Sequence, residues 1–210
     1  MQQQEIYYAT SNPGKFEDVR SFLEIYEPSI RLKQFQGDID EIQSLDQRRI
    51  AEGKAKTAYD LLQKPVLIDD AAIYFDKYHE FPGTITKYVH MALGFEGIFK
   101  LVEEGDRASF RIHMVFAYGP NQLKVFDASC HGTMVRPQGE PAQITLPWKV
   151  AFVPDGSRKT YAEMQGTPEM ERYNYRLDAL RQFLNWYRSA EGITALSAAA
   201  SGHNNEERSC

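Results

Sequence analysis

The sequence predicts an α/β domain: a mixed sheet with flanking helices and an antiparallel extension. Three observations carry this. The first 70 residues alternate strand-like and helix-like segments, and the middle holds two long alternating runs around a tight turn. The composition, 42% apolar and 25% charged over 210 residues, suits one buried core.

Taken in order, Ile6, Tyr7, Tyr8 and Ala9 mark a first strand over 5–10, which runs into the turn Ser11-Asn12-Pro13-Gly14-Lys15. Phe16, Val19, Phe22, Leu23 and Tyr26 then recur at helical spacing. A short strand is predicted over 32–35 and a helix over 46–62, stopped by Lys64-Pro65. Val66, Leu67 and Ile68 form a compact apolar strand that ends in Asp69-Asp70. Pro82-Gly83 opens a helical segment through Tyr88, Met91 and Leu93, and 96–102 reads as a second short helix. Two strands over 109–118 and 123–135 flank Gly119-Pro120-Asn121 as a hairpin, and a last helix covers 168–188. The domain is therefore expected over 1–189. Residues 190–210 turn to Ala, Ser, Gly, Asn and Glu with little to bury, and are expected to be a disordered tail.

A net charge of −5, from 24 basic and 29 acidic residues, argues against a nucleic-acid partner bound through bulk electrostatics. No apolar run approaches the ~18 residues that span a bilayer, so no membrane partner is expected. Cys130 and Cys210 cannot make a disulfide framework, and a reducing, cytoplasmic setting is expected.

Thr10, Ser11 and Asn12 offer short polar groups between a strand and a helix, and Lys15 stands beside the helix start. Backbone N–H groups there, with the lysine, would suit a phosphate; an Asn-capped helix with a surface lysine is the plainer alternative. The second helix places Ile50, Ala51, Ala55, Ala58, Leu61 and Leu62 on one face, with Lys54 in the middle of that stripe. A lysine is almost never buried unpaired, so Lys54 either snorkels to solvent or meets an anion in a cleft. Arg176 lies in the same way within the stripe Tyr173, Leu177, Leu180, Phe183, Leu184 and Tyr187. Asp69, Asp70 and Glu41 are candidate Mg²⁺ ligands, since carboxylates suit that ion; one aspartate of the pair is equally a cap for the next element. The histidines at 79, 90, 113, 131 and 203 lack ligand spacing.

These pieces resemble, in order and to about residue 187, the inosine triphosphate pyrophosphatases, which convert ITP, dITP and XTP to the monophosphate and pyrophosphate. Thr10-Ser11-Asn12-Pro13-Gly14-Lys15 resembles their Thr-x-Asn-x-x-Lys motif, and 50–56 their second-helix lysine motif. Val66-Leu67-Ile68-Asp69-Asp70 is similar to their acidic strand, and Phe81-Pro82-Gly83 with Lys87 to their Pro-Gly segment and its basic residue. Val153-Pro154-Asp155-Gly156 with 160–164, and Arg176-Leu177-Asp178-Ala179-Leu180, complete the series. The resemblance implies a homodimer with a cleft between two lobes. It implies catalytic roles for Asp70, Lys15 and Lys54, and phosphate contacts from Thr10, Ser11, Asn12, Ala71 and Lys87. It also implies Mg²⁺ on Glu41 and Asp70, with Asp69 beside them.

The departures fall where that family reads the base. The stretch Thr145-Leu146-Pro147-Trp148-Lys149-Val150 keeps an aromatic at Trp148, but Lys149 stands where an aspartate is usual. Asn174-Tyr175-Arg176 replaces Ser-His-Arg, Met170 replaces a lysine, and Ala71-Ala72 replaces Ser-Gly. Trp148, Lys149, Tyr175 and Arg176 are thus the expected base contacts, in a rewritten base half. The expected activity is nucleoside triphosphate pyrophosphatase. The rivals are a relative acting on another or a modified nucleotide, and a binding protein without turnover.

Overall fold

A computed structural model describes residues 4–138 and 147–206, with side chains described as far as Ala199. Its six-stranded sheet has the order β2-β1-β3-β4-β5-β6. β1 (Gln4–Ala9) lies parallel between β2 (Ile30–Phe35) and β3 (Val66–Phe75). β4 (Arg107–Gly119) and β5 (Gln122–Met134) form the long antiparallel hairpin beside β3, and β6 (Phe152–Pro154) pairs with the end of β5. The mixed sheet and its antiparallel extension are as the sequence predicts.

Alternation along the strands sends side chains to two faces. On one face α2 (Gln47–Leu62) sets Ala51, Ala55, Ala58 and Tyr59 against Val66, Ile68, Val115 and Ala117. The other face holds the larger core, where Ile6, Tyr8, Leu67, Ile73 and Phe116 meet α1 (Pro13–Tyr26) and α6 (Tyr175–Tyr187). α3 (Thr86–Ile98) adds Val89 and Ile98 to that core, and the short α4 (Tyr161–Met164) and α5 (Pro168–Glu171) lead into α6.

Several expectations are corrected. β3 does not stop at Asp69-Asp70 but continues to Phe75, with Asp69 opposite Met114 and Asp70 opposite His113. The apolar run Ala71-Ala72-Ile73-Tyr74-Phe75 carries the strand on, so the acids sit in mid-strand. The expected helix over 168–188 is two helices, because Asn174 starts a new one by accepting from the Arg176 and Leu177 N–H groups at 3.1 and 3.4 Å. Gly94, at φ 57°, interrupts α3, and Tyr88, Met91 and Leu93 stand exposed on it. Leu61 is also exposed, and Tyr59 takes its place under α2.

The expected tail differs most. α7 (Ala190–Glu206) is helical, and its first turn is tied down by Glu191, which meets Lys124 at 2.7 Å and the Trp186 indole N–H at 3.0 Å. Alanine is the best helix former, so a segment poor in large apolar residues still folds as a helix once one end is docked. Residues 207–210, and the Thr145-Leu146 part of the base stretch, lie outside the described residues.

Candidate active site

The β1–α1 turn is built by Asn12. Its side-chain oxygen accepts from the Gly14 and Lys15 N–H groups at 2.9 and 3.1 Å, and its carbonyl accepts from Phe16 at 3.1 Å. Pro13 at the first helical position has no N–H to offer. The free backbone donors expected at this helix start are therefore used within the cap. What remains is the positive end of the helix dipole and Lys15. Thr10 braces the turn, its hydroxyl oxygen accepting from the Asn12 N–H at 3.1 Å, while Ser11 is exposed.

Lys15 reaches back to β3. Its ammonium lies 3.1 Å from Asp69 Oδ2, and the same oxygen takes Arg176 Nη2 of α6 at 3.2 Å. Tyr8, from β1, donates its hydroxyl to the other oxygen, Asp69 Oδ1. Burial alone would push the Asp69 carboxyl up. Lys15, Arg176 and the Tyr8 hydrogen bond outweigh it and hold Asp69 well below the ordinary carboxylate range. With 1% of its side chain exposed, Asp69 is the shared counter-ion of Lys15 and Arg176. Arg176 is 4% exposed, approaches Asp18 at 3.9 Å, and leaves its Nε without a hydrogen-bond partner among the described residues.

Asp70 points to the other face, as its neighbour's orientation requires. There Lys54 bridges it to the loop before α2, with Nζ 2.7 Å from Glu41 Oε1 and 3.5 Å from Asp70 Oδ1. Burial works to lower the Lys54 pKa, but the Glu41 hydrogen bond and the Asp70 charge raise it overall. The lysine that broke the apolar stripe of α2 is thus an ion-paired group, its side chain 17% exposed. Gln47 fixes the backbone here, donating to the Asp70 carbonyl at 3.0 Å and accepting from the Tyr74 hydroxyl at 2.9 Å.

The remaining candidates are less tightly grouped. Ala71 follows Asp70 on β3, and Lys87 is exposed on α3 with its ammonium over the Tyr88 ring. Trp148 packs among Phe75, His90 and Phe95 and is only 5% exposed, with its indole N–H unpartnered among the described residues. Tyr175 stacks on Phe110 at 5.5 Å, and burial pushes its hydroxyl pKa up to about 12. Both rings are therefore walls of the core rather than open stacking faces. Lys149 is half-buried, and burial lowers its pKa while Asp18 and Arg176 act on it in opposite directions.

Tyr8, Gln47 and Asp18 were not singled out by the sequence reading. Only Tyr8 carried a signal: a tyrosine on the buried side of a strand needs a partner for its hydroxyl.

No group of three or more histidine, cysteine, aspartate or glutamate side chains among the described residues gathers as a metal cage. Glu41 and Asp70 nevertheless converge on one ammonium, and a pair of carboxylates fits an ion that completes its shell with water and phosphate oxygens.

Fold and site together define an α/β protein whose central strand carries paired carboxylates, each holding cations on its own face. The chain belongs to the Ham1 family, whose model matches residues 6–186. It is 31% identical over 181 residues to a dITP/XTP pyrophosphatase of Thermococcus kodakarensis, covering 85% of this chain and 95% of that protein. It is 34% identical over 180 residues to inosine triphosphate pyrophosphatase 2 of Trypanosoma cruzi, covering 84% and 88%. A HAM1 protein structure from Coxiella burnetii shares the fold, with TM-score 0.71 at 21% identity over 86% of this chain and 96% of that one. The family resemblance read from the motifs is borne out.

Proposed function

We propose that the chain hydrolyses a purine nucleoside triphosphate of the ITP, dITP or XTP type to the monophosphate and pyrophosphate. One observation carries this reading: Lys15 and Lys54, from helices on opposite faces of the sheet, are held by Asp69 and Asp70 at consecutive positions of β3, just past the last residue paired with β1. Such an arrangement presents cations without letting them collapse onto bulk solvent, and a polyphosphate is the anion it suits. The names of the relatives support the same substrate class.

In this mechanism Lys15 and Lys54 neutralise the phosphate chain and orient it. Asp70 positions a water against the α-phosphorus and takes its proton. The bond from that phosphorus to the bridging oxygen breaks, and pyrophosphate leaves with the electron pair. Glu41 and Asp70 would hold Mg²⁺, which when bound supplies charge neutralisation to the polyphosphate. Lys149 and Arg176 offer hydrogen-bond donors for the oxo groups of a base, with Trp148 and Tyr175 shaping the wall behind them.

The domain over 1–189 carries this activity. The exposed apolar residues Tyr88, Met91 and Leu93 of α3, with Ile85 just before it, support a homodimer, and the free Cys130 thiol supports a reducing, cytoplasmic setting. No helix among the described residues is long and apolar enough to cross a membrane.

The test is a panel of ITP, XTP, GTP, ATP, CTP and UTP scored for pyrophosphate release with and without Mg²⁺. Mg²⁺-dependent release, fastest from ITP or XTP, is the expected result; nucleotide binding without release from any of the panel would mean a binding protein.

A further inference from the structure

Three groups converge on Asp69: the Tyr8 hydroxyl on Oδ1, and both Lys15 Nζ and Arg176 Nη2 on Oδ2, at 3.1 and 3.2 Å. The crowding is uneven. One oxygen carries two cations and the other carries a neutral donor. Without the hydroxyl, the carboxylate would give each cation its own oxygen, the electrostatically better arrangement, and Lys15 would be held harder. Tyr8 blocks that rearrangement. It is 0% exposed and lies on the same face of the sheet as Asp69, so the core holds its ring with the hydroxyl against Asp69 Oδ1. Lys15, by contrast, keeps 20% of its side chain exposed, while Arg176 keeps 5%. Of the two cations sharing Oδ2, Lys15 is the one free to turn to a ligand.

We propose that Tyr8 is a positioning residue for polyphosphate binding: its hydroxyl occupies Asp69 Oδ1, confines Lys15 to an oxygen already taken by Arg176, and so keeps Lys15 releasable to phosphate. The proposal rests on reading the cleft as a polyphosphate site. The ring of Tyr8 fills the core, and phenylalanine would fill it almost equally, so the hydroxyl is what the function uses.

The experiment compares the full-length wild type, Tyr8→Phe, Lys15→Ala and the double variant. Inorganic tripolyphosphate binding is measured by calorimetry, and KM and kcat are measured for ITP. A hydrogen bond to a charged group is worth up to a hundredfold, of which a positioning effect should deliver about tenfold. Tyr8→Phe is expected to weaken tripolyphosphate binding and raise KM about tenfold, with kcat within about twofold, the split expected of lost uniform binding. In the Lys15→Ala background the same change should have almost no effect, because it acts through that lysine.

Unchanged tripolyphosphate affinity in Tyr8→Phe, with only a lower melting temperature, would overturn the proposal. So would an equal effect in the Lys15→Ala background, or a Tyr8→Phe chain that does not fold, since either assigns the hydroxyl to something other than Lys15. If the wild type binds tripolyphosphate but releases no pyrophosphate from ITP, the proposed activity fails while the calorimetric comparison still decides the role of Tyr8.

Discussion

At Asp69 and Asp70 one step along a strand separates a buried counter-ion from a part-exposed carboxylate. Asp69 is enclosed by Tyr8, Lys15 and Arg176, whereas Asp70 keeps 18% of its side chain exposed beside Lys54. Asp70→Asn is therefore expected to lower kcat by about 10² to 10⁴, the usual range for a lost general base, with an unchanged circular dichroism spectrum. Wild-type turnover in that variant would place the water elsewhere. Lys54→Met should raise KM for ITP about tenfold, the loss of one charge-assisted contact. It also leaves Glu41 and Asp70 facing each other, so its melting temperature should move by no more than about 4 °C. The anomaly at Lys54 was legible in the sequence, because a charge within an apolar helical stripe has few physical outcomes. The partnership of Lys15 with Asp69 was not, since the two lie 54 positions apart and meet only through the β1–β3 pairing.

Among the elements, α6 shows how a cap can be mistaken for a contact residue. Asn174 was read as a departure from a base-contacting triplet; it is the N-cap that sets where α6, and with it Arg176, begins. Asn174→Ala should cost about 1 kcal/mol in denaturant unfolding, and Asn174→Ser should restore most of it. The signal for the break before α6 was present, a cap-type residue ahead of an apolar run, but a continuous stripe hid it. The full length of β3 was likewise written in the apolar residues after Asp70, and two adjacent acids looked like a stop. α3 carries a pH-sensitive contact. Burial lowers the pKa of His90, which packs against Phe95 and Trp148, below its ordinary 6.5. The unfolded chain then binds this proton more readily than the folded one. The His90 contribution is fully present above pH 6.5 and is lost as pH falls through the lower, folded value. Melting temperatures between pH 7.5 and 5 should fall less in His90→Phe than in the wild type; equal falls would remove the coupling.

For the whole molecule, the order of strands and helices through 4–134 followed from periodicity, and the family from motifs that occur in register along it. The far end did not, because α7 depends on Lys124 and Trp186 to hold Glu191, contacts made only in the folded chain. Removing residues 190–210 should lower the melting temperature by a few degrees, about 2–4 °C per kcal/mol lost at this size, and leave kcat/KM for ITP unchanged. The central claim is attack on the α-phosphorus by a water that Asp70 positions, and its most direct test is ITP hydrolysis in ¹⁸O-labelled water followed by mass analysis of the products. The account predicts IMP carrying the label, unlabelled pyrophosphate, and both products formed about 10² to 10⁴ more slowly by Asp70→Asn. Label in the pyrophosphate, or release of IDP with orthophosphate, would contradict it.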